Sequence, residues 1–293
     1  MAEYKKSEAK EQMFVSLILA TVDRTEEVKR FLESLESQTY DNVELIVVDQ
    51  NLDDRLVPIL KPYRGHFPIL HLRSERGLSR ARNVGLKHIS GDIVAFPDDD
   101  CWYPPDLLER VIRFFREHPD IDGLTGCSRD ETGRLSNLKW DNAGGFVNKF
   151  NVWKRAVSYT IFLKSVVIRK TGLFDEKLGV GAGTPWGAGE EMDYLLRALE
   201  NGARIYYDPN LVIFHPQPIK DFGPMAAKRI YTYRAGNSRV MRKHNFPLRL
   251  VLLQRLRTLI GVCLSICTGR FDKARYYLAS LQGQIAGWRG RVE

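Results

Sequence analysis

The chain has 293 residues, of which 44% are hydrophobic and 27% charged, a balance typical of a folded globular protein rather than a disordered one. This length suits one large α/β domain or two smaller ones. The four cysteines show neither zinc-type double pairing nor the density of a disulfide framework, and the first residues lack the apolar core of a signal peptide. We therefore expect a reduced, cytosolic protein.

The net charge of +8 is unevenly spread along the chain. Residues 220–293 carry 15 Lys and Arg against 3 Asp and Glu, whereas residues 1–219 carry 29 against 33. The basic end is a separate physical feature that would suit an anionic membrane, a nucleic acid or a polyanionic substrate. No recognised nucleic-acid-binding module accompanies it, so we do not expect nucleic acid as a partner.

The first half of the chain alternates short apolar runs with segments of helical spacing. The runs are rich in β-forming residues and predict strands, and the amphipathic segments predict helices. The predicted strands are residues 14–20, Val43–Asp49, 69–72 and 92–97, and the predicted helices are residues 25–38, 53–64, 78–90 and 105–118. This alternation, with near-continuous apolar strands, predicts a largely parallel sheet covered by helices.

Three of the predicted strands lead into polar side chains. Thr21 follows the first strand, Asp49 ends the second, and Asp98, Asp99 and Asp100 follow the fourth. Ligands of open α/β sheets bind beyond the carboxyl ends of the strands. These side chains are therefore expected to converge on one cleft despite their distance in sequence.

The run Asp98-Asp99-Asp100 is the most informative feature of the chain. Carboxylates a few ångströms apart repel, so such a cluster is costly unless it faces water or a cation. Hard divalent cations take oxygen ligands, often one or two carboxylates completed by substrate phosphates. The run favours a metal-assisted site for a phosphate-bearing substrate, with a solvated acidic turn as the alternative.

The second half of the chain is less regular. A loop or hairpin is predicted where Asn and Gly are frequent, and a Gly/Pro/Trp loop is predicted to lead into a helix. The predicted elements are the loop or hairpin 138–149, a strand at 161–169, the loop 184–189, a helix at 190–201, strands at 203–207 and 211–214, and helices from residue 222 onward.

Four strings carry a resemblance to a known family. They are VSLILAT at residues 15–21 with Arg24 and a helix after it, SQTY at 37–40 leading into VELIVVD, RGLSRARNVGL at 76–86, and GDIVAFPDDD at 91–100. In this order and at this spacing, over most of residues 14–215, they resemble family 2 glycosyltransferases. The resemblance implies a Rossmann-like α/β fold of the GT-A type, in which a nucleotide-sugar-binding half is joined to an acceptor-binding half.

The same resemblance suggests how the chain divides. We expect a GT-A catalytic domain at residues 1–219, with the nucleotide-sugar half at about 13–103 and the acceptor half at about 104–219. Residues 220–293 are then a basic, helical extension that associates with a membrane or with other copies of the chain.

Residues 247–268 decide how that extension is read. They are long and apolar enough for a membrane span, but Arg249, Arg255 and Arg257 interrupt them. Such a segment favours an amphipathic helix in the membrane interface. We expect peripheral attachment to the anionic, inner face of the cell membrane; packing on the catalytic domain or in a homo-oligomer is the alternative.

The resemblance assigns a divalent cation, Mg²⁺ or Mn²⁺, to the acidic run. Asp100 matches the residue that contacts the metal, Asp98 completes the D-x-D spacing beside it, and Asp99 lies near ribose or metal. His215 matches a position that resembles a third metal ligand or a diphosphate contact, with a structural histidine as the alternative. An ion bridging the two phosphates would stabilise the departing diphosphate as a Lewis acid.

The donor site follows from the same motifs. Thr21 and Asp49 match positions that border the base and ribose, with helix-capping or strand-end hydrogen bonds as the alternative. Gln50 stands where many relatives carry a second acid, and its amide can both donate to and accept from a base edge. The residues assigned to the nucleotide sugar are Thr21, Arg24, Asp49, Gln50, Arg80, Arg82, Asp98 and Asp99; surface exposure is the alternative for Arg80 and Arg82.

A second pair of carboxylates, Glu190-Glu191, follows the Gly-rich loop. Relatives that invert the sugar's configuration carry a carboxylate here as general base, because a sugar hydroxyl needs a proton acceptor as it attacks the anomeric carbon. The match favours Glu191 and leaves Glu190 open; the alternative is acidic residues favoured by the helix dipole. Trp186 and Trp153 are expected to stack on acceptor sugars, with core packing as the alternative.

Together these expectations describe an inverting, metal-dependent transferase in polysaccharide or glycolipid biosynthesis. It would move a sugar from a nucleoside diphosphate sugar to a hydroxyl of a saccharide acceptor, and the basic extension suggests that this acceptor is lipid-linked. The alternative is a non-catalytic nucleotide-sugar-binding or scaffold protein of the same fold. A nucleotidyltransferase is disfavoured because residues 20–24 lack a Gly-rich basic loop.

Overall fold

The computed structural model describes residues 12–137, 139–218 and 221–290, and its centre is one mixed sheet of eight strands. In chain order the strands are β1 Val15–Thr21, β2 Val43–Asp49, β3 Ile69–Arg73, β4 Ile93–Ala95, β5 Gly123–Arg129, β6 Gly145–Phe146, β7 Ile161–Lys164 and β8 Ile205–Phe214. Their spatial order is β3-β2-β1-β4-β7-β5-β8-β6. The sheet is mostly parallel, as the sequence predicted.

The amino-terminal half of the sheet is fully parallel. β1 pairs with β2 on one side and β4 on the other, and β2 pairs with β3. All seven residues of β1 are buried, as expected for a strand covered on both faces. Thr21 and Asp49 end their strands directly opposite each other, and Ala20 forms a bridge with Asp98. The three polar strand ends therefore meet at one edge.

The second half of the sheet differs from the sequence prediction in three places. β5 was not predicted, because its sequence GLTGCSR holds two glycines and few β-forming residues. The predicted strand 161–169 is a short strand, β7, that turns into helix α6. The two strands predicted at 203–207 and 211–214 are one strand, β8, with a register shift opposite Thr125 and Cys127.

Among the described residues before 219, seven α-helices surround the sheet: α1 Glu26–Glu36, α2 Val57–Leu60, α3 Leu78–Leu86, α4 Leu107–Glu117, α5 Val152–Arg155, α6 Ser165–Thr171 and α7 Glu190–Glu200. The predicted helix 53–64 is only α2 and a 3₁₀ turn, Lys61–Gly65. α1 and α4 bury their apolar faces on one side of the sheet, and α3, α6 and α7 cover the other. Of the predicted loop 138–149, Leu138 lies outside the described residues, and the rest includes β6.

Three long helices complete the described chain: α8 Pro224–Lys243, α9 Leu248–Cys267 and α10 Phe271–Arg289. α8 and α10 approach closely at glycines, since a Cβ on Gly283 or Gly287 would lie 2.2 or 1.9 Å from a backbone oxygen of α8. α9 packs on α10, where the Gln284 amide donates to Thr258 Oγ1 at 2.9 Å. The predicted domain boundary lies between residues 219 and 220, which the structure does not describe, so this boundary stays a prediction.

Candidate active site

Arg82 joins the two predicted groups of carboxylates. It lies on α3, is 1% exposed, and sits 3.0 Å from Asp98 Oδ1 through Nη2 and 3.2 Å from Glu190 Oε1 through Nη1. Ser158 Oγ also donates to Asp98 at 3.0 Å. Arg82 therefore brings together Asp98 and Glu190, which are 92 residues apart in sequence. We call the region around Arg82, Asp98–Asp100 and Glu190–Glu191 the carboxylate cleft.

A second arginine pairs with the last two aspartates of the acidic run. Arg24 Nη1 lies 2.8 Å from Asp99 Oδ1 and 2.6 Å from Asp100 Oδ2. Thr21 Oγ1 donates to Asp99 Oδ2 at 2.7 Å. Thr21, Arg24 and Arg82 were all predicted to bind the donor. In this structure they contact the carboxylates of the acidic run instead.

Burial separates the three aspartates electrostatically. Burial raises the pKa of Asp98, although Arg82 opposes it, and raises the pKa of Asp99 to about 6 against the effect of Arg24. Burial also acts to raise the pKa of Asp100, but His215 and Arg24 outweigh it and lower that pKa to about 2. Asp100 is therefore the aspartate of the run that is ionised at neutral pH and in mild acid.

His215 completes this corner. Its Nε2 lies 3.2 Å from Asp100 Oδ1, and its ring stacks on Tyr159 with centroids 4.8 Å apart. Its Nδ1 lies 2.7 Å from the carbonyl oxygen of Pro216, which can only accept, so Nδ1 carries a proton. Nε2 is then the nitrogen that could bind a metal, because ligating histidines commonly donate their other N–H to a carbonyl.

The side chains near Asp100 can be compared with the ligands that a divalent cation needs. Across residues 12–137, 139–218 and 221–290, no group of three or more His, Cys, Asp or Glu is placed to hold a metal ion unaided. Asp100 and His215 supply two ligands 3.2 Å apart. A hard cation that takes its remaining ligands from diphosphate and water fits this pair. Asp98 is less available, since Arg82 and Ser158 already hold its Oδ1.

Asp49 lies deeper than its predicted role requires. It is fully buried and accepts from the backbone and side-chain amides of Asn51, both at 2.8 Å, while His71 and Arg73 lie 3.0 and 2.9 Å from its Oδ2. Gln50 accepts from the Gly77 backbone N–H at 2.7 Å. His71 and Arg73 were missed from the sequence, although alternation along a strand parallel to β2 puts both on the side of Asp49.

The arginines of α3 differ in position. Arg82 lies inside the carboxylate cleft, but Arg80 lies on the surface, where it pairs with Glu75 at 3.2 Å and Glu176 at 3.5 Å. The structure therefore does not bring Arg80 to the acidic run, and its contact with the nucleotide sugar stays a prediction.

The second carboxylate pair begins α7. Gly189 caps the helix with φ of 93°, a left-handed conformation that suits glycine, and its Cα packs near Val240 of α8. Glu190 is buried against Arg82, whereas among the described residues no side chain pairs with Glu191. Burial raises the pKa of both, and the charge of Glu190 raises that of Glu191 further. The pKa of Glu191 is raised to about 8, which lets this carboxyl bind and release a proton near neutral pH.

The first turn of α7 is also held in place through Asp193. Asp193 is fully buried and lies 2.8 Å from His244 Nε2, 2.9 Å from Lys243 Nζ and 3.0 Å from Arg197 Nε. His244 and Lys243 belong to the C-terminal end of α8. This buried ion network ties the helix that carries Glu190 and Glu191 to α8.

The predicted acceptor tryptophans occupy different places. Trp186 precedes α7, with the guanidinium of Arg239 over its ring at 4.4 Å. Trp153 packs edge-on against Phe246 with centroids 6.3 Å apart and contacts the core, the alternative role for such a residue. Sequence reasoning did not single out Tyr233 of α8, whose pKa is raised by burial and further by the charges of Glu190, Asp98 and Glu191.

Comparison with known proteins adds a family to this geometry. A family model described as "Glycosyl transferase family 2" matches residues 16–170. Glycosyltransferase AglE of Haloferax volcanii is 26% identical over 285 residues, which cover 91% of this chain and 84% of the relative. Another curated glycosyltransferase, from Haemophilus influenzae, is 36% identical over 110 residues, but these cover only 37% of this chain and 36% of the relative. Several of the curated relatives are therefore matched over a minor part of their length.

Solved structures share the fold. A fragment of S. aureus TarS in complex with UDP-GlcNAc matches with a TM-score of 0.62 and 18% identity, covering 93% of each chain. The mannosyltransferase PcManGT of Pyrobaculum calidifontis, in complex with GDP-Man and Mn²⁺, matches with a TM-score of 0.61 and 15% identity, covering 94% of this chain and 88% of that one.

Proposed function

Because the chain belongs to glycosyl transferase family 2 and is a nucleotide-sugar-dependent glycosyltransferase of the GT-A fold, we propose that it is an inverting, metal-dependent enzyme. It moves a sugar from a nucleoside diphosphate sugar to a hydroxyl of a saccharide acceptor. The observation that carries this proposal is the position of Arg82, which holds Asp98 and Glu190 together. Asp100, two residues after Asp98, and Glu191, the residue after Glu190, are thereby brought into the same region of the molecule.

The donor end is assigned to Asp100 and His215. These two would hold Mg²⁺ or Mn²⁺, and the neighbour PcManGT is described with Mn²⁺. A bound divalent cation neutralises the diphosphate and stabilises it as a leaving group. Thr21 and Arg24 border the same corner and are assigned to the diphosphate and ribose. The neighbours carry UDP-GlcNAc in one case and GDP-Man in another, so the fold alone does not select the base.

The acceptor end is assigned to Glu191. The acceptor hydroxyl oxygen bonds to the anomeric carbon as the bond from that carbon to the diphosphate oxygen breaks, and the hydroxyl proton passes to the Glu191 carboxylate. A carboxyl whose pKa is raised by burial and by Glu190 is a stronger base than an ordinary one. Attack from the face opposite the leaving group inverts the anomeric centre. Trp186, which lies shortly before α7, is the aromatic residue assigned to the acceptor sugar.

The acceptor is proposed to be lipid-linked because of α9. By length and composition alone this helix could cross a membrane. Leu248–Cys267 has a mean hydropathy of 1.7, and only 11% of its apolar stretch is buried. Its exposed apolar side chains are Leu248, Leu252, Leu253, Leu256, Leu259, Ile260, Leu264 and Ile266. Patches of this kind mark interaction sites.

The packing of α9 favours a helix in the membrane interface over one that spans it. One side of α9 is fixed to α10, where Gly261 contacts the ring of Tyr277. The exposed side carries Arg249 and Arg257 beside the leucines, an arrangement typical of interfacial helices that bind anionic lipid. We place the enzyme at the cytoplasmic face of the membrane, with a lipid-linked saccharide as acceptor.

The proposal is tested by turnover of a panel of nucleotide sugars with Mn²⁺ and a lipid-linked saccharide. Asp100→Ala and Glu191→Gln should each lower kcat by at least about a hundredfold, the range of general-base contributions, whereas the exposed control Glu33→Gln should not. Activity that survives complete chelation would reject the metal role. Binding without turnover for every donor would instead support the non-catalytic alternative.

A further inference from the structure

Arg24 occupies the place of a cation among the carboxylates of the donor corner. We propose that it is a built-in counterion: it neutralises Asp99 and Asp100 before the donor binds, and moves to the diphosphate when metal and diphosphate arrive together. This inference rests on the metal-dependent function proposed above. Its consequence is that the protein binds a divalent cation weakly by itself and strongly only with a diphosphate.

The contacts show the competition directly. Arg24 Nη1 bridges Asp99 Oδ1 at 2.8 Å and Asp100 Oδ2 at 2.6 Å, while His215 Nε2 lies 3.2 Å from the other oxygen of Asp100. Both oxygens of Asp100 are therefore engaged by the protein's own cationic groups. A cation that uses Asp100 must displace at least one of them.

The turn after β1 aims Arg24 at the cluster. Asp23 has φ of 59°, a left-handed conformation that aspartate tolerates better than most residues. Its N–H donates to Asn51 Oδ1 at 2.7 Å, and its carboxylate lies 2.7 Å from Arg76. The turn is thus fixed on both sides, so the direction of Arg24 is set by the backbone.

Arg24 is nevertheless displaceable, in contrast to Arg82. The Arg24 side chain is 38% exposed and that of Arg82 is 1% exposed. Ion pairs of partly exposed side chains contribute little, so Arg24 can leave at small cost. A guanidinium binds phosphate oxygens well, so an arriving diphosphate offers it new partners. Because binding coupling is reciprocal, metal and diphosphate should each strengthen the binding of the other.

The test measures Mn²⁺ affinity by the electron paramagnetic resonance signal of free Mn²⁺, without any turnover. The wild-type protein, Arg24→Gln and Arg24→Lys are titrated with Mn²⁺ alone and with Mn²⁺ plus inorganic pyrophosphate; Arg113→Gln, an exposed arginine of α4, is the matched control. We expect Arg24→Gln to bind Mn²⁺ alone about tenfold more tightly than wild type, about 1.4 kcal/mol. Pyrophosphate should increase the Mn²⁺ affinity of Arg24→Gln less than it increases that of the wild type. The Mn²⁺ affinities of Arg24→Lys and Arg113→Gln should stay near wild type.

The possible failures are distinguishable. If Arg24→Gln binds Mn²⁺ alone no better than wild type, while Asp100→Asn still weakens binding, the counterion role is overturned and the metal site stands. If neither wild type nor Arg24→Gln binds Mn²⁺ even with pyrophosphate, the metal-dependent function itself fails. A purely structural role of Arg24 would lower affinity or stability, and would not raise affinity for the cation.

Discussion

Replacing Arg82 by methionine is the sharpest test of the carboxylate cleft. Methionine fills a similar volume but leaves Asp98 and Glu190 without the guanidinium that lies 3.0 and 3.2 Å from them. Removing one partner of a buried ion pair costs about 3–5 kcal/mol, because a buried charge is left uncompensated. At neutral pH we expect the free energy of unfolding of Arg82→Met to be about 3–5 kcal/mol lower than that of the wild type.

The loss should depend on pH. Burial already raises the pKa of Asp98 and Glu190, and Arg82 is the group that opposes this rise, so its removal raises both further. A carboxyl whose folded pKa is raised destabilises the protein above its unfolded pKa of about 4, by about 1.4 kcal/mol per pH unit until the folded pKa is passed. The penalty relative to wild type should therefore be larger at pH 8 than at pH 5.5, because the carboxyls of the variant ionise at a higher pH than those of the wild type.

Urea unfolding at both pH values measures these quantities. The control is Arg80→Met on the same helix, whose partners Glu75 and Glu176 are exposed, so that its loss should stay below about 1 kcal/mol at either pH. The reasoning is refuted if Arg82→Met loses no more than Arg80→Met, or if its penalty is equal at the two pH values.

Two further predictions concern the C-terminal helices. Gly287→Ala should cost about 1–3 kcal/mol, because its Cβ would lie 1.9 Å from a carbonyl of α8 and the clash exceeds the gain in helix propensity; thermal unfolding checks this against Gly65→Ala, which has open space around it. The double variant Leu256→Gln, Ile260→Gln should weaken cosedimentation with anionic phospholipid vesicles by more than about a hundredfold, since each side chain contributes about 1.5–3 kcal/mol when buried. The control is Leu70→Gln, an exposed leucine of β3. Unchanged vesicle binding with an altered oligomeric state would show that α9 contacts a second copy.

The sequence was sufficient where one rule decides the outcome. β2 was predicted at its observed bounds because VELIVVD is apolar except for Glu44 and is ended by an acid. The convergence of Thr21, Asp49 and the acidic run followed from the parallel strands, since ends of adjacent parallel strands share an edge. The family and the fold were also predicted correctly from motif order.

The sequence was insufficient where tertiary packing decides. β5 has the composition of a loop and becomes a strand because β7 and β8 pair with it on both sides. The choice between Arg80 and Arg82 depends on which face of α3 meets the sheet. A signal existed: Arg82 follows Ala81 and lies one turn from Leu78 and Leu86, on the apolar side of the helix.

The charges of the carboxylate cleft explain why its two arginines differ. Five carboxyl groups meet there, and Arg24, Arg82 and His215 are the cationic groups paired with them in the described residues. Arg82 is buried and paired at both ends, so it serves the fold and cannot leave without a large loss. Arg24 is partly exposed, and one of its two partners is Asp100, the aspartate of the acidic run whose pKa is lowered. A cleft with more acids than bases, and with only one of its arginines free to move, favours a divalent cation and a phosphate group arriving together.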